Sequence, residues 1–293
     1  MKPVFIIGGS RTGSEMLKTI LTSGPDIDMI NEMFLLCPRW LHPDLKSSIE
    51  QNFGSIDALK DVDGLVDLLY SEEPYGYFWS EISEKVPREA LRNALMAETS
   101  LSLKQVFKCL LSEHAAFAGK SIPGAKFPLH YSRTEQLLEW FPDCRLIHTV
   151  RDPRAIYSSQ MSKYVRDDYG RAKNAWIRLQ HFVHIYIQIK WTTRIHHKLQ
   201  HRPNYLLSRY EDLVHKPDEA VTRICDFLEV EKTPSMLNPT QYNSSFKQGV
   251  ISQGFDKRAT DGWRNKMSQR TVRLINFLNQ GELATLGYQK VEV

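Results

Sequence analysis

The sequence predicts an α/β fold: a parallel sheet flanked by helices, with a mainly helical insertion at about 38–120. Three observations predict it. The chain opens on a short apolar run, Val4-Phe5-Ile6-Ile7, that stops at Gly8-Gly9 and gives way to helical spacing. Beyond residue 124, short apolar runs and helical patterns alternate. The 293 residues are 42% hydrophobic, enough for the core of one large domain over 1–293.

Each element follows in order. Val4 to Ile7 reads as a buried strand, and Ser14 to Thr22 as a helix. That helix carries Met16, Leu17, Ile20 and Leu21 at helical spacing and ends at Ser23-Gly24-Pro25. Asp28 to Asn31 reads as a second short strand, followed by Glu32. The insertion mixes prolines and aromatics (Trp40, Tyr75, Tyr77, Phe78, Trp79) with helical patterns at Leu59 to Tyr70 and Glu89 to Ala97. It reads as a cap over a binding site. The α/β pattern resumes at Gly124-Ala125-Lys126. Thr134 to Trp140 is helical, and Arg145 to Val150 is a buried strand. Asp152-Pro153 then opens a helix, with Asp as cap and Pro in the first position. A long amphipathic helix is expected over Asn174 to Leu199, with His196-His197 on an exposed face. A strand is expected at Tyr205 to Ser208 and a helix at Pro217 to Leu228. In such a sheet, ligands bind at the carboxyl ends of the strands.

The composition excludes several classes. The 38 basic residues exceed the 34 acidic ones by only four, too few for a general nucleic-acid binder and compatible with a local basic pocket for an anion. Cys37, Cys109, Cys144 and Cys225 show no zinc or CxxC spacing and read as reduced thiols. The histidines form no metal motif. No apolar run approaches a membrane span. No signal-peptide core precedes the first strand, so a cytoplasmic location is expected.

Three motifs carry chemistry. The first is Gly8-Gly9-Ser10-Arg11-Thr12-Gly13-Ser14, between a strand and a helix, which makes the sheet P-loop-type. Glycines let the backbone wrap a phosphate, and the helix N-terminus supplies N–H donors and positive potential. Arg11 adds charge, and Thr12 and Ser14 add hydroxyls. Gly13 is followed by Ser14-Glu15, so this is not a Walker A loop; read alone it is also compatible with a plain glycine turn. The second motif is His148-Thr149-Val150-Arg151-Asp152-Pro153-Arg154, with Ser158-Ser159 after it. Arg151 ends a strand and Ser159 lies two turns into the next helix, so both can meet one anion; a surface salt bridge is the competing reading. The third, Arg209-Tyr210-Glu211-Asp212-Leu213, closes a strand.

In this order the motifs resemble those of the sulfotransferases that use 3′-phosphoadenosine 5′-phosphosulfate (PAPS). The resemblance runs from Val4 to Tyr288. It is carried by residues 8–14 and by Phe141-Pro-Asp-Cys-Arg-Leu-Ile-His-Thr-Val-Arg-Asp-Pro-Arg154 with Ser159, supported by Gly124-Ala-Lys-Phe-Pro128 and residues 209–213. It is closer to the carbohydrate, tyrosylprotein and bacterial branches than to the cytosolic small-phenol branch. Those branches favour arginine in the first loop, as at Arg11, and an acidic residue shortly after it, as at Glu32.

The resemblance implies that the first loop (Gly9, Ser10, Arg11, Thr12, Gly13 and Ser14) binds the 5′-phosphosulfate. It implies that Arg151 and Ser159 bind the 3′-phosphate, and it adds Tyr210 to the nucleotide site. Glu15 stands where a second hydroxyl is usual. Lys257-Arg258-Ala-Thr-Asp-Gly-Trp263-Arg264 is similar to the family's late basic loop, which points to Arg258 and Trp263. The implied reaction is an in-line displacement at sulfur onto an acceptor hydroxyl or amine, with adenosine 3′,5′-bisphosphate as product and no metal. Glu32 is the expected general base and His130 the runner-up; Lys126 is expected on the sulfate or acceptor side. A saccharide, a peptide tyrosine or a small metabolite would each suit as acceptor. The competing readings are a P-loop kinase or NTPase, against which the missing Walker lysine stands, and a non-catalytic member of the fold.

Overall fold

The computed structural model describes residues 2–31, 45–54, 61–71, 83–126, 128–242 and 250–289. Five strands, β1 (Val4–Gly8), β2 (Ile27–Ile30), β3 (Ile122–Lys126), β4 (Arg145–Val150) and β5 (Tyr205–Arg209), form one parallel sheet in the order β2-β3-β1-β4-β5. Every position of β1 is buried, as its unbroken apolar run requires. Helix α1 (Ser14–Thr22) follows it and buries Met16, Leu17, Ile20 and Leu21. From β1 the chain steps to β2 and β3 on one side, then to β4 and β5 on the other. The winding reverses beside β1, and its carboxyl end is where such sheets open a ligand crevice. The α/β sheet expected from the sequence is the sheet observed.

The chain divides into two compact units: Met1–Ile6 with Gly24–Arg145, and Ile7–Ser23 with Leu146–Val293. The first contains α2 (Leu45–Phe53), α3 (Val62–Leu69), α4 (Arg88–Met96), α5 (Leu103–Phe117) and α6 (Thr134–Trp140). Asp61 caps α3 by accepting from the Gly64 N–H at 2.8 Å. Helices α3 and α4 pack through Leu65, Val66 and Leu69 on one and Leu91 and Leu95 on the other, with Arg92 paired to Asp63 and Arg88 to Asp67. Helix α5 lies against β2 and β3. Its Phe107 stacks on Phe5 with ring centres 5.9 Å apart and meets Phe141 edge-on at 5.8 Å. Buried His114 of α5 approaches Asp28 of β2 at 2.5 Å. Burial pushes the Asp28 carboxyl up, but its hydrogen bond to His114 and the charge there outweigh burial and hold it below its ordinary value.

The second unit contains α7 (Pro153–Tyr164), α8 (Arg171–Leu199), α9 (Tyr210–His215), α10 (Pro217–Leu228), an antiparallel pair β6 (Thr240–Tyr242) and β7 (Val250–Gln253), and then α11 (Arg258–Asp261), α12 (Trp263–Lys266), α13 (Gln269–Leu278) and α14 (Gln280–Thr285). Helix α7 starts as predicted, with Asp152 as N-cap and Pro153 in the first turn. Helix α8 starts at Arg171, earlier than the expected Asn174, and is amphipathic only in its second half. Its buried residues run from Ile185 to Leu199. The expected exposure of His196-His197 holds for His197 alone. His196 is half-buried, with Nδ1 3.2 Å from the Tyr205 hydroxyl, which also lies 2.9 Å from His148 Nδ1. Burial pushes His148 down to about 3, so it is a neutral core histidine. The C-terminal helices complete the core: Trp263 and Val272 pack on Ala155, and Leu283, Leu286 and Tyr288 pack on Val150.

Candidate functional site

The loop after β1 is shaped by two close approaches. Gly13, the N-cap of α1, has φ +92°, and a Cβ there would run into the ring of Tyr210. A Cβ at Gly9 would run into the side chain of Gln188, whose Nε2 donates to the Ser10 carbonyl at 3.2 Å. At Gly13 the positive φ and the ring leave room for hydrogen alone, whereas at Gly9 a methyl group would have to displace the Gln188 side chain. Gly13 offers the first turn of α1 no side-chain cap, which leaves the amides there for an anion. Thr12 is turned inward. Its hydroxyl is 2.8 Å from the Gly9 carbonyl and 2.8 Å from the Thr149 hydroxyl, and that hydroxyl in turn lies 3.1 Å from the Ile7 carbonyl. Thr12 therefore ties the loop to β4 through its hydroxyl. Glu15 lies 3.8 Å from Lys18.

Two arginines meet over this loop. Arg11 takes a left-handed conformation, φ +67°, and donates from Nε to Ser159 Oγ at 3.0 Å. Buried Arg151, at the end of β4, donates to the Arg11 carbonyl at 3.1 Å and to the Ala259 carbonyl at 2.6 Å, and its guanidinium lies 4.3 Å from the centre of the Tyr210 ring. Burial, and then the charge of Arg151, lower the Arg11 guanidinium below its ordinary value. Arg151 Nε is buried with no hydrogen-bond partner among the described residues. Two cations this close, one with an idle buried donor, fit a polyanion such as a nucleotide phosphate. The structure thus brings Arg11, Arg151, Ser159 and Tyr210 together.

A second set of residues holds this one in place, and the sequence did not distinguish it. Arg154 is buried, pairs bidentately with Asp152, donates to Asn276 Oδ1 at 3.2 Å and to the Gln289 carbonyl at 3.1 Å, and lies 4.7 Å over Trp263. Glu211 accepts from the Asp152 N–H and from the Tyr288 hydroxyl, each at 2.9 Å. Its burial raises the carboxyl above its ordinary value. The signal for Glu211 lay in the Tyr-Glu-Asp run; nothing local pointed to Gln188 or Tyr288.

The other expected site residues fall as follows. Trp263 is buried between Arg154 and Arg264, at 4.7 and 4.8 Å, and packs on Ala155 and Val272. Arg258 is exposed and paired with Asp256 at 2.9 Å; its neighbour Ala259 is the residue of the late loop that reaches Arg151, through its carbonyl. Lys126 is buried at the end of β3, in register with Ile6. Glu32 and the side chain of His130 lie outside the described residues, as does Cys37; Cys109, Cys144 and Cys225 are buried. Among the described residues no cluster could hold a metal ion, and no helix is long and apolar enough to cross a membrane.

The family described as "Sulfotransferase family" matches residues 3–234. The chain is 32% identical over 93 residues to human carbohydrate sulfotransferase 2, covering 30% of this chain and 18% of that protein. It is 26% identical over 168 residues to mouse carbohydrate sulfotransferase 5, covering 50% and 42%. It is 23% identical over 247 residues to the omega-hydroxy-beta-dihydromenaquinone-9 sulfotransferase Stf3 of Mycobacterium tuberculosis, covering 77% and 62%. The matches thus span less than two thirds of each of these relatives. The fold is similar to that of the sulfotransferase domain from the curacin biosynthetic pathway, with TM-score 0.60, 19% identity and 99% of both chains covered.

Proposed function

The chain belongs to the sulfotransferase family, and from that premise we propose that it transfers the sulfuryl group of PAPS to an acceptor hydroxyl or amine. One observation carries the nucleotide part of this reading: Arg11 and Arg151 converge with Ser159 at the switch point of the sheet, and Arg151 keeps a buried Nε without a partner among the described residues. PAPS, when bound, supplies the activated sulfuryl group and leaves as adenosine 3′,5′-bisphosphate. Arg151 and Ser159 are the proposed holders of its 3′-phosphate. The guanidinium of Arg11, the amides of Thr12 and Gly13, and Ser14 are the proposed holders of its 5′-phosphosulfate, with Ser10 and Gly9 shaping the loop. Tyr210 supports the guanidinium of Arg151 from beneath.

In this mechanism Arg11 stabilises negative charge as it builds on the leaving phosphate. Glu32 takes the proton of the acceptor, with His130 as the runner-up, and Lys126 serves the sulfate or acceptor side. Fixed cations and amides suffice for these tasks, so no metal is included. Arg258 and Trp263 enter through the late loop, Trp263 by locking Arg154. The whole chain acts as one sulfotransferase domain, with the segment at about 38–120 covering the acceptor. The relatives' names speak of carbohydrates and of an omega-hydroxylated dihydromenaquinone, so a hydroxyl acceptor on a saccharide or a small metabolite is favoured over a peptide tyrosine. A cytoplasmic location belongs to the same proposal. The test is transfer of labelled sulfate from PAPS across saccharide, phenol, lipid-alcohol and peptide acceptors. Tight binding of adenosine 3′,5′-bisphosphate without transfer to any of them would favour a non-catalytic member of the fold.

A further inference from the structure

Helix α8 presents two unlike sides. Its buried side holds the nucleotide loop through Gln188. Its other side is a stripe of large apolar residues facing solvent: Trp176 is 59% exposed, Leu179 53%, Val183 46% and Ile187 47%, with Trp191 continuing the row. The steps between them are three or four residues, so they share one face of the helix. On α13, whose Ile275 packs against Ile185 and Ile189 of α8, Phe277 is 76% exposed and Leu274 46%. A row of exposed large apolar side chains along one helix face, such as that on α8, marks an interaction site.

The charge on these helices says what covers it. Residues 171–199 carry Arg171, Lys173, Arg178, Lys190, Arg194 and Lys198 and no acidic residue. Residues 269–278 add Arg270 and Arg273, again with none. Asp167 and Asp168 lie in the loop before α8, not on it. The apolar stripe runs into an open cleft of about 450 Å³ lined by Lys190, Thr193, Arg194, His197 and Glu282. Glu282 is already engaged there with Lys190 at 2.6 Å. Thr193 is more than nine-tenths buried, and its hydroxyl has no partner among the described residues. A second copy of the chain would bring the same cations against these, which is unfavourable. An anionic partner with an apolar interior satisfies both halves of the face.

We propose that this face of α8 docks on an anionic lipid bilayer, with Trp176, Leu179 and Ile187 entering the headgroup region and the cleft at Arg194 receiving a headgroup phosphate. Docking is independent of sulfuryl transfer and stands or falls on its own measurements.

The test is flotation of the full chain with vesicles of phosphatidylcholine, with and without phosphatidylserine, at low and high salt. The protein floats with the phosphatidylserine vesicles, and high salt weakens this. Reversing one cation with Arg194→Glu lowers partitioning about thirtyfold. Trp176→Ser with Leu179→Ser abolishes it even at low salt. These side chains are largely exposed, and unchanged binding of adenosine 3′,5′-bisphosphate verifies that each variant is folded. Failure to float with phosphatidylserine vesicles at low salt overturns the proposal, as does flotation that neither variant changes. A dimer in sedimentation that the apolar variant splits assigns the face to a second copy instead. Glycerol phosphate binding in the cleft of a protein that ignores vesicles makes it a plain phosphate site, and also refutes the bilayer.

Discussion

Replacing Arg151 tests the proposed nucleotide site. In Arg151→Ala the Arg11 and Ala259 carbonyls lose their donor, the Tyr210 ring loses its cation, and the idle buried Nε disappears. If Arg151 holds the 3′-phosphate, at least one charge-assisted hydrogen bond is lost, about 1.5–3 kcal/mol, or roughly 10- to 150-fold in affinity for adenosine 3′,5′-bisphosphate. The loosened loop also weakens binding of 5′-AMP, which has no 3′-phosphate. That indirect loss is common to both nucleotides and cancels in the ratio of their affinities. The measurement is therefore a ratio: titration calorimetry of both nucleotides with wild type and variant. Wild type prefers the bisphosphate, and the variant loses most of that preference. Arg151→Lys keeps the charge but not the planar fork, so it retains part of it. If both affinities fall by the same factor, Arg151 only positions the loop, and the assignment of the 3′-phosphate is wrong.

Four further outcomes are expected. Arg11→Ala lowers turnover about 10²–10³-fold while nucleotide affinity falls much less, because its charge matters most as the leaving phosphate becomes negative; steady-state rates and calorimetry together check this. Glu32→Gln removes the proton acceptor and keeps its shape, lowering turnover roughly 10²–10⁴-fold at unchanged bisphosphate affinity, and full activity in this variant with a dead His130→Ala would move the base to His130. Gly9→Ala drives Gln188 from the Ser10 carbonyl and weakens nucleotide binding, and because the fault is steric, adding Gln188→Ala restores much of it. Asp28→Asn loses the His114 pair and costs about 1–3 kcal/mol at neutral pH. The folded Asp28 carboxyl lies below its unfolded value, so its stabilisation is present above about pH 4 and fades as pH falls through the folded value; thermal unfolding of wild type and variant converges there.

The sheet was legible because its signals are local. The apolar run of β1, the stop at Gly8-Gly9, the spacing of Met16, Leu17, Ile20 and Leu21, and the Asp152-Pro153 start of α7 each fix a short stretch of backbone without reference to the rest of the chain. The C-terminal helices were not assigned, and α8 reads as amphipathic throughout although its first half carries its apolar residues outward. Periodicity marks a face but does not say what that face meets.

The sequence by itself determined the fold class, the family resemblance and the two arginine-bearing loops, since glycine spacing and apolar runs constrain backbone within a turn or two. The tertiary structure alone decided how those side chains divide their work. Arg151 and Arg154 stand three residues apart in one motif, yet one faces Arg11 and Tyr210 while the other is locked by Asp152, Asn276 and Gln289. Thr12 reads as a phosphate donor and turns inward to Thr149. Trp263 reads as a nucleotide contact and packs on Arg154. Apart from Tyr210 and Asp152, these partners lie more than a hundred residues away along the chain, and a buried cation or hydroxyl takes whichever partner the packed core brings within reach.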